Sequence, residues 1–156
     1  MVGLDTQRLT RDSDIIIVGE VECVEPYWSD DGKSIYTVVD VLVNDIIAGT
    51  SHELSIQVEH LGGMVDDIGM GVSDEPAFRE GEEVLLFLRA AQGKTRRKHA
   101  PAVYNVTGAA QGKYTIDTEG VAHKGGFSVL RRDKDIVEQD MHIDLYDLIE
   151  KIKQHR

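Results

Sequence analysis

Six histidines are the residues of this chain best suited to ligating a transition metal or moving a proton. They are His52, His60, His99, His123, His142 and His155. None of them forms an HxH or HxxxH pair, the spacings that place two imidazoles on one face of a strand or a helix. The spacing therefore predicts scattered surface histidines, no metal site and no cofactor.

Four carboxylates in a glycine-rich segment could supply oxygen ligands to Ca²⁺. They are Asp66, Asp67, Asp74 and Glu75. The alternating aspartates and the closing glutamate of an EF-hand are missing, so solvated loop edges are the favoured interpretation. The glycines around them form neither GxGxxG nor GxxxxGK[ST], and phosphate binding is not indicated.

The densest basic run, Arg96, Arg97 and Lys98, could contact a nucleic-acid backbone. The chain has 17 Lys and Arg against 28 Asp and Glu, a net charge of −11, and this field repels phosphates. Aromatic residues, which stack on unpaired bases, make up only 6% of the sequence. The sequence therefore disfavours nucleic acid and keeps it as the alternative ligand.

No arrangement of residues indicates covalent catalysis. A GxSxG elbow is absent, and the single cysteine, Cys23, permits neither an internal disulfide nor a multi-cysteine zinc site. Cys23 follows an apolar strand pattern and is expected to be a buried, inert thiol. The sequence predicts a protein that is not an enzyme, with a metal-dependent hydrolase ranked last among the alternatives.

Two segments define the predicted core. The pattern of residues 15–24 predicts one long strand. Its first half is apolar on both faces, its second half alternates between apolar and polar residues, and Gly19 allows the strand to bend or bulge. Such a strand can serve both halves of a small barrel. Residues 83–88 are continuously apolar and indicate a central strand. We expect the two segments to line one apolar interior.

The remaining strands are predicted at 34–44, 53–59, 104–107, 113–117 and 121–123. Leu54, Ile56 and Val58 should point inward and Gln57 outward. Residues 104–107 and 113–117 should pair as a hairpin, while residues 60–81 should form a packed loop. A helix over 143–154, capped by Asp140 or Asp144, should dock its apolar stripe on the strands.

Several strands before one late helix, without βαβ alternation, indicate a mainly β fold. We expect a small closed or partly open antiparallel barrel of the OB-like kind with a C-terminal helix; a β-sandwich is the alternative. With 156 residues, the chain should be a single domain, 1–156, with the barrel over 14–123. No apolar run is long enough to span a membrane.

Four segments carry a resemblance to known proteins: 14–21 (DIIIVGEV), 36–43 (YTVVDVLV), 76–88 (PAFREGEEVLLFL) and 108–114 (GAAQGKY). Over residues 9–120 the chain resembles uncharacterised prokaryotic proteins that are commonly secreted. More distantly, the order of elements resembles netrin-like domains and tissue inhibitors of metalloproteinases, which have OB-like barrels. The inhibitors' zinc-binding N-terminal cysteine has no counterpart here, so no inhibitory residue transfers.

These observations favour a non-catalytic binding module with an unknown protein partner, because large aromatic and methionine side chains are good interface anchors. The candidate binding residues are Tyr27, Trp28, Tyr36, Met64, Met70 and Phe78. Exposed strand edges would also permit a homo-oligomer. The compartment is expected to be extracytoplasmic if a leader was removed, and cytoplasmic otherwise.

Overall fold

The structure, a computed structural model, describes residues 6–65, 68–70, 77–91, 103–124 and 142–156. Its elements in chain order are α1 (Thr6–Arg11), β1 (Ile15–Trp28), β2 (Ile35–Ala48), β3 (Ser55–Leu61), β4 (Gly63–Val65), β5 (Ile68–Met70), β6 (Glu83–Ala90), β7 (Val103–Val106), a 3₁₀ turn (Ala109–Gly112), β8 (Lys113–Ile116), β9 (Val121–Lys124), β10 (His142–Asp144) and α2 (Leu145–His155).

Strand β1 is paired on both of its edges. Its first part runs antiparallel to β6, from Ile15 opposite Leu88 to Glu20 opposite Glu83. It also runs antiparallel to β2 along nearly its whole length. Both edges of one strand are thus occupied, which is what closing a sheet into a barrel requires.

The ring closes in the order β1, β2, β3, β7, β6 and back to β1. All of its pairings are antiparallel except that of β3 with β7, where Gln57 lies opposite Val103. Strands β8, β9 and β10 continue the sheet outward from β6. The predicted OB-like barrel with a C-terminal helix is therefore confirmed, in its closed form and not as a sandwich.

Gly19 lies at an irregularity in the β1–β2 ladder, whose register shifts between Val18 and Gly19. A Cβ at this position would overlap the carbonyl oxygen of Leu42 and lie 2.7 Å from Cγ1 of Val41. Only glycine lets β2 approach β1 so closely here. The interpretation of Gly19 as a bulge site is confirmed.

Two apolar clusters explain why β1 begins with residues that are apolar on both faces. Ile15 and Ile17 point into the barrel, whereas Ile16 and Val18 pack outside it. The outer cluster also holds Leu9 of α1 together with Leu148 and Ile152 of α2. The predicted docking of the C-terminal helix on the barrel is therefore confirmed.

The helix α2 begins at Leu145, two residues later than predicted, because residues 142–144 form β10. Asp144 is its cap: Oδ2 accepts hydrogen bonds from the backbone N–H groups of Tyr146 (3.1 Å) and Asp147 (3.4 Å). This satisfies two of the unpaired donors that every helix N-terminus exposes. Within the described residues, no helix is long and apolar enough to span a membrane.

The predicted hairpin of 104–107 with 113–117 is wrong, because β7 and β8 do not pair with each other. Both strands pair with β6 on the edge opposite β1, one after the other: Val106 is opposite Leu88, and Lys113 is opposite Leu86. The 3₁₀ turn connects them along this edge, and Gly112 fits there because a Cβ would lie only 2.9 Å from Cγ1 of Val106.

The pattern of β3 also needs a correction. Leu54, predicted to point inward, precedes the strand and is 80% exposed. Ile56 and Val58 are fully buried, as predicted. Gln57 is nearly buried as well, and its Nε2 donates a hydrogen bond to Oδ1 of Asp40, 3.1 Å away.

Candidate functional site

One end of the barrel carries an open groove of about 350 Å³. It lies where the β1–β2 ribbon meets the end of β3, the start of β4 and the segment before β6. Its lining residues are Val24, Pro26, Thr37, His60, Leu61, Gly62, Gly63, Met64, Ala77 and Phe78. We call this feature the β4 groove. It contains two of the predicted binding residues, Met64 and Phe78.

Phe78 forms the floor of the β4 groove. It is 8% exposed and belongs to the cluster inside the barrel. The His60 ring stacks on it with centroids 5.9 Å apart, and Nζ of Lys113 lies 4.8 Å from its ring centroid. The contact with a cation adds to apolar packing. The floor is therefore a fixed aromatic surface. The loop predicted over 60–81 is packed at Phe78, but part of that range is not loop, because Gly63–Val65 and Ile68–Met70 pair as β4 and β5.

Gly62 and Gly63 form one wall, with φ angles of 99° and 140°. The N–H of Gly62 donates to the carbonyl of Ile35 (2.7 Å), and Oγ1 of Thr37 donates to the carbonyl of Gly62 (2.7 Å). A Cβ on Gly63 would overlap Oγ1 of Thr37. The glycine pair thus lets β4 lie directly on the β1–β2 ribbon, which places Met64 at the rim.

The polar groups of the β4 groove are satisfied within the protein. Nδ1 of His60 lies 3.0 Å from the carbonyl of Leu61, so it carries the proton and donates. Burial lowers the pKa of His60, and the nearby Lys113 lowers it further. The imidazole is therefore neutral at pH 7, and the groove presents an uncharged, mainly apolar surface. Met64 at its rim is 63% exposed.

Three carboxylates lie around Cys23, and by strand alternation Glu25 and Asp40 are on the opposite face of the ribbon from the groove-lining Pro26 and Thr37. Cys23 is half-buried, not fully buried as predicted. Burial raises the pKa of its thiol, and the charges of Asp40, Glu80 and Glu25 raise it further. The thiol is protonated at neutral pH and a poor nucleophile. Asp40, Glu80 and Glu25 are named here the acidic flank.

The aromatic candidates fall on two faces of the β1–β2 ribbon. Tyr27 and Tyr36 are register partners whose rings stack with centroids 6.0 Å apart. By strand alternation they point away from the face that Pro26 and Thr37 present to the groove. Trp28 is 37% exposed and lies on the same face as Pro26, one step nearer the hairpin tip.

The other candidates are only partly described. The backbone of Met70 pairs with Gly63 in the β4–β5 ladder. The predicted oxygen ligands Asp66, Asp67, Asp74 and Glu75 and the basic residues Arg96, Arg97 and Lys98 lie outside the described residues.

A second group of polar residues was not predicted. Nδ1 of His123 lies 2.6 Å from Nδ1 of His142, and Nε2 of His123 lies 2.7 Å from Oδ2 of Asp117. The two histidines are 19 residues apart and meet only because β9 pairs with β10. No local spacing signals such a contact, so the sequence could not reveal it.

The fold defines the class of this protein as a small, closed, OB-like barrel that bears a groove at one end and a helix on its outside. No protein-family model matches the chain, and no curated protein does. The resemblance to commonly secreted prokaryotic proteins stays a prediction. The function must be argued from the groove itself.

Proposed function

We propose that this protein is a non-catalytic binding module whose β4 groove receives an apolar side chain from a basic segment of a partner protein. The observation that carries the proposal is the fixed aromatic floor at Phe78, open to solvent through a rim formed by Met64. Aromatic and methionine surfaces in a preformed hollow are the usual anchors of protein recognition.

Preformation supports binding because little order must be created when the partner arrives. Phe78 is held by His60 on one side and by Lys113 on another. Lys113 is in turn paired with Glu82, whose Oε1 lies 2.9 Å from Nζ. A floor held in this way loses little side-chain freedom on binding, and this lowers the entropic cost of association.

The surrounding charge favours a basic partner. The whole chain carries a net charge of −11, and Glu25 and Asp40 of the acidic flank lie on the other face of the ribbon that forms one side of the groove. A negative field attracts Lys and Arg side chains within a Debye length of about 8 Å at physiological salt. A segment with one large apolar residue between basic residues matches both the apolar floor of the groove and the negative charge of the chain.

Selection from a random peptide library displayed on phage tests this proposal. We expect enrichment of sequences in which Leu, Met or Phe stands beside Lys or Arg. A synthetic peptide of the enriched sequence should bind Met64→Ser at least about tenfold more weakly than the native chain, because the rim would lose its apolar methionine surface without a change of charge.

Leu54→Ser is the matched control, because Leu54 is also exposed and does not line the β4 groove. Its affinity for the peptide should equal that of the native chain. Enrichment of no sequence, or equal binding by Met64→Ser, would reject the groove as the binding site.

The alternative is an OB-type module for single-stranded nucleic acid, and the observation in its favour is the stacked pair Tyr27 and Tyr36 on the ribbon's other face. Stacked aromatic side chains are platforms for unpaired bases. A fluorescent oligothymidine titrated at 20 mM and 200 mM salt separates the two proposals. Salt-sensitive binding that Tyr36→Ala abolishes would favour this alternative; absence of binding at low salt would dismiss it.

A further inference from the structure

We propose that His123 and His142 form a binding site for a divalent transition-metal ion at the outer edge of the sheet, oriented by Asp117. This site is separate from the β4 groove and does not depend on its function. Neutral imidazole is the ligand that Zn²⁺, Ni²⁺ and Cu²⁺ favour in proteins.

The backbone brings the two rings together. His123 of β9 and His142 of β10 are direct register partners in an antiparallel ladder. Side chains of such partners leave the same face of the sheet side by side. Their ring centroids are 4.8 Å apart, at an interplanar angle of 65°, and both Nδ1 atoms point at each other.

Asp117 sets the protonation of the pair. Its Oδ2 accepts a hydrogen bond from Nε2–H of His123 at 2.7 Å, so the proton of neutral His123 is on Nε2. The lone pair of His123 Nδ1 therefore faces His142, whose own Nδ1–H donates to it. In many metal sites a histidine binds the ion through one ring nitrogen and donates a hydrogen bond from the other to a carboxylate, which orients the ring.

The carboxylate is itself held in place by the backbone. Oδ1 of Asp117 accepts hydrogen bonds from the backbone N–H groups of Glu119 and Val121, each 2.9 Å away. Asp117 is a positioning residue that keeps the His123 ring in one orientation.

A metal ion takes the place of the shared proton. The proton of His142 moves from Nδ1 to Nε2 through solvent, and both Nδ1 lone pairs then bind the ion. Two metal–nitrogen bonds of about 2.1 Å at a tetrahedral angle separate the nitrogens by about 3.4 Å. The present 2.6 Å must widen by about 0.8 Å, which small rotations of two partly exposed rings supply.

The site is open. Among the described residues no third His, Cys, Asp or Glu side chain joins the pair. Water therefore fills the remaining coordination positions, and Cu²⁺ and Ni²⁺ should bind more tightly than Mn²⁺, following the general order of divalent affinities. Ca²⁺ and Mg²⁺, which require oxygen ligands, should not bind here.

Calorimetric titration of the tag-free chain with NiCl₂ at pH 7.5 tests the site. We expect one ion per chain, and binding at least about tenfold weaker in His123→Gln and in His142→Gln. Asp117→Asn should weaken it by about 10- to 100-fold, the usual effect of removing a carboxylate behind a ligating histidine. His52→Gln, an exposed histidine away from the pair, should leave the affinity unchanged.

Nitrogen-15 spectra of the native chain's imidazoles, recorded with and without ZnCl₂, decide the question even if a variant fails to fold. Shifts of the Nδ1 resonances of His123 and His142, with both protons on Nε2, would support the site. The proposal would be overturned if the resonances of these two rings did not change with zinc. It would also be overturned if a folded His123→Gln/His142→Gln variant bound nickel as tightly as the native chain.

Discussion

Nζ of Lys113 lies 2.9 Å from Oε1 of Glu82, with the two side chains only 5% and 12% exposed. Nζ also donates to the carbonyl of Ala77, and Oγ1 of Thr115 donates to the other oxygen of Glu82 at 2.9 Å. This buried ion pair fastens the segment that carries Phe78 to β8. The floor of the β4 groove is therefore held by charge as well as by packing.

Lys113→Met should lower the free energy of unfolding by about 3 kcal/mol, because Glu82 is left as a buried charge without its cation. The double variant Lys113→Met/Glu82→Gln should recover more than half of that loss. Urea unfolding followed by far-UV circular dichroism measures both. Lys33→Met, at an exposed turn position, is the control and should change stability by less than about 0.5 kcal/mol. Additive losses in the double variant would contradict the pairing.

The buried His60 predicts a loss of stability in mild acid. Burial lowers its pKa in the folded chain below the ordinary value of about 6.5. The contribution of neutral His60 to the free energy of unfolding is therefore fully present above about pH 6.5. Below that pH the unfolded chain binds a proton at His60 more readily than the folded chain does, and stability falls. The hydrogen bond from His60 to the Leu61 carbonyl opposes this lowering of the pKa, as does the charge of Glu59, whereas nearby Lys113 adds to it.

Thermal unfolding between pH 7.5 and 5.0 measures this effect as a difference between variants. His60→Gln should show a shallower loss of stability with falling pH than the native chain, by up to about 1.36 kcal/mol per pH unit. His52→Gln should follow the native curve. Parallel curves for the native chain and His60→Gln would mean that His60 protonates as readily in the folded as in the unfolded chain.

Gly19→Ala should destabilise the barrel by about 1–3 kcal/mol, because its Cβ needs space that the Leu42 carbonyl occupies. Gly69→Ala is a matched control in β5, where the nearest atom to a new Cβ is the terminal methyl of Met64 at 3.4 Å. Chemical denaturation should show a loss for the first and little change for the second. Equal effects would show that general strand propensity, not the close approach of β2, requires glycine at position 19.

Asp144→Ala should cost about 1 kcal/mol of stability, because two N–H groups of α2 lose their acceptor. Asp144→Ser keeps an acceptor oxygen and should retain most of the stability. Melting temperatures measured without added metal compare the two variants. A Ser variant as unstable as the Ala variant would indicate that the negative charge, not the cap hydrogen bonds, matters at this helix end.

Features set by nearby residues could be predicted from the sequence. The apolar run 15–18 and the run 84–88 predicted the two strands that close the barrel, because a strand packed on both faces needs apolar side chains on both. The cap at Asp144 likewise follows from local chemistry.

Features that depend on contacts between residues distant in the chain could not be predicted from the sequence. Residues 104–107 and 113–117 suggested a hairpin because a short glycine-flanked link joins them, yet both strands pair instead with the same edge of β6. The β4 groove likewise arises when two glycines at 62 and 63 let β4 lie on the ribbon. His123 meets His142 only through the β9–β10 register, which no spacing encodes.

Pairing of β1 at both edges closes the barrel, and this closure builds the barrel end on which the β4 groove lies. Val18 is the decisive residue, because it is opposite Leu85 in β6 and Asp45 in β2. A nuclear Overhauser spectrum of the labelled chain should show backbone contacts from the Val18 region to both strands in one folded species. Contacts to only one of them would mean an open sheet, and the groove proposed here would have no barrel to form it.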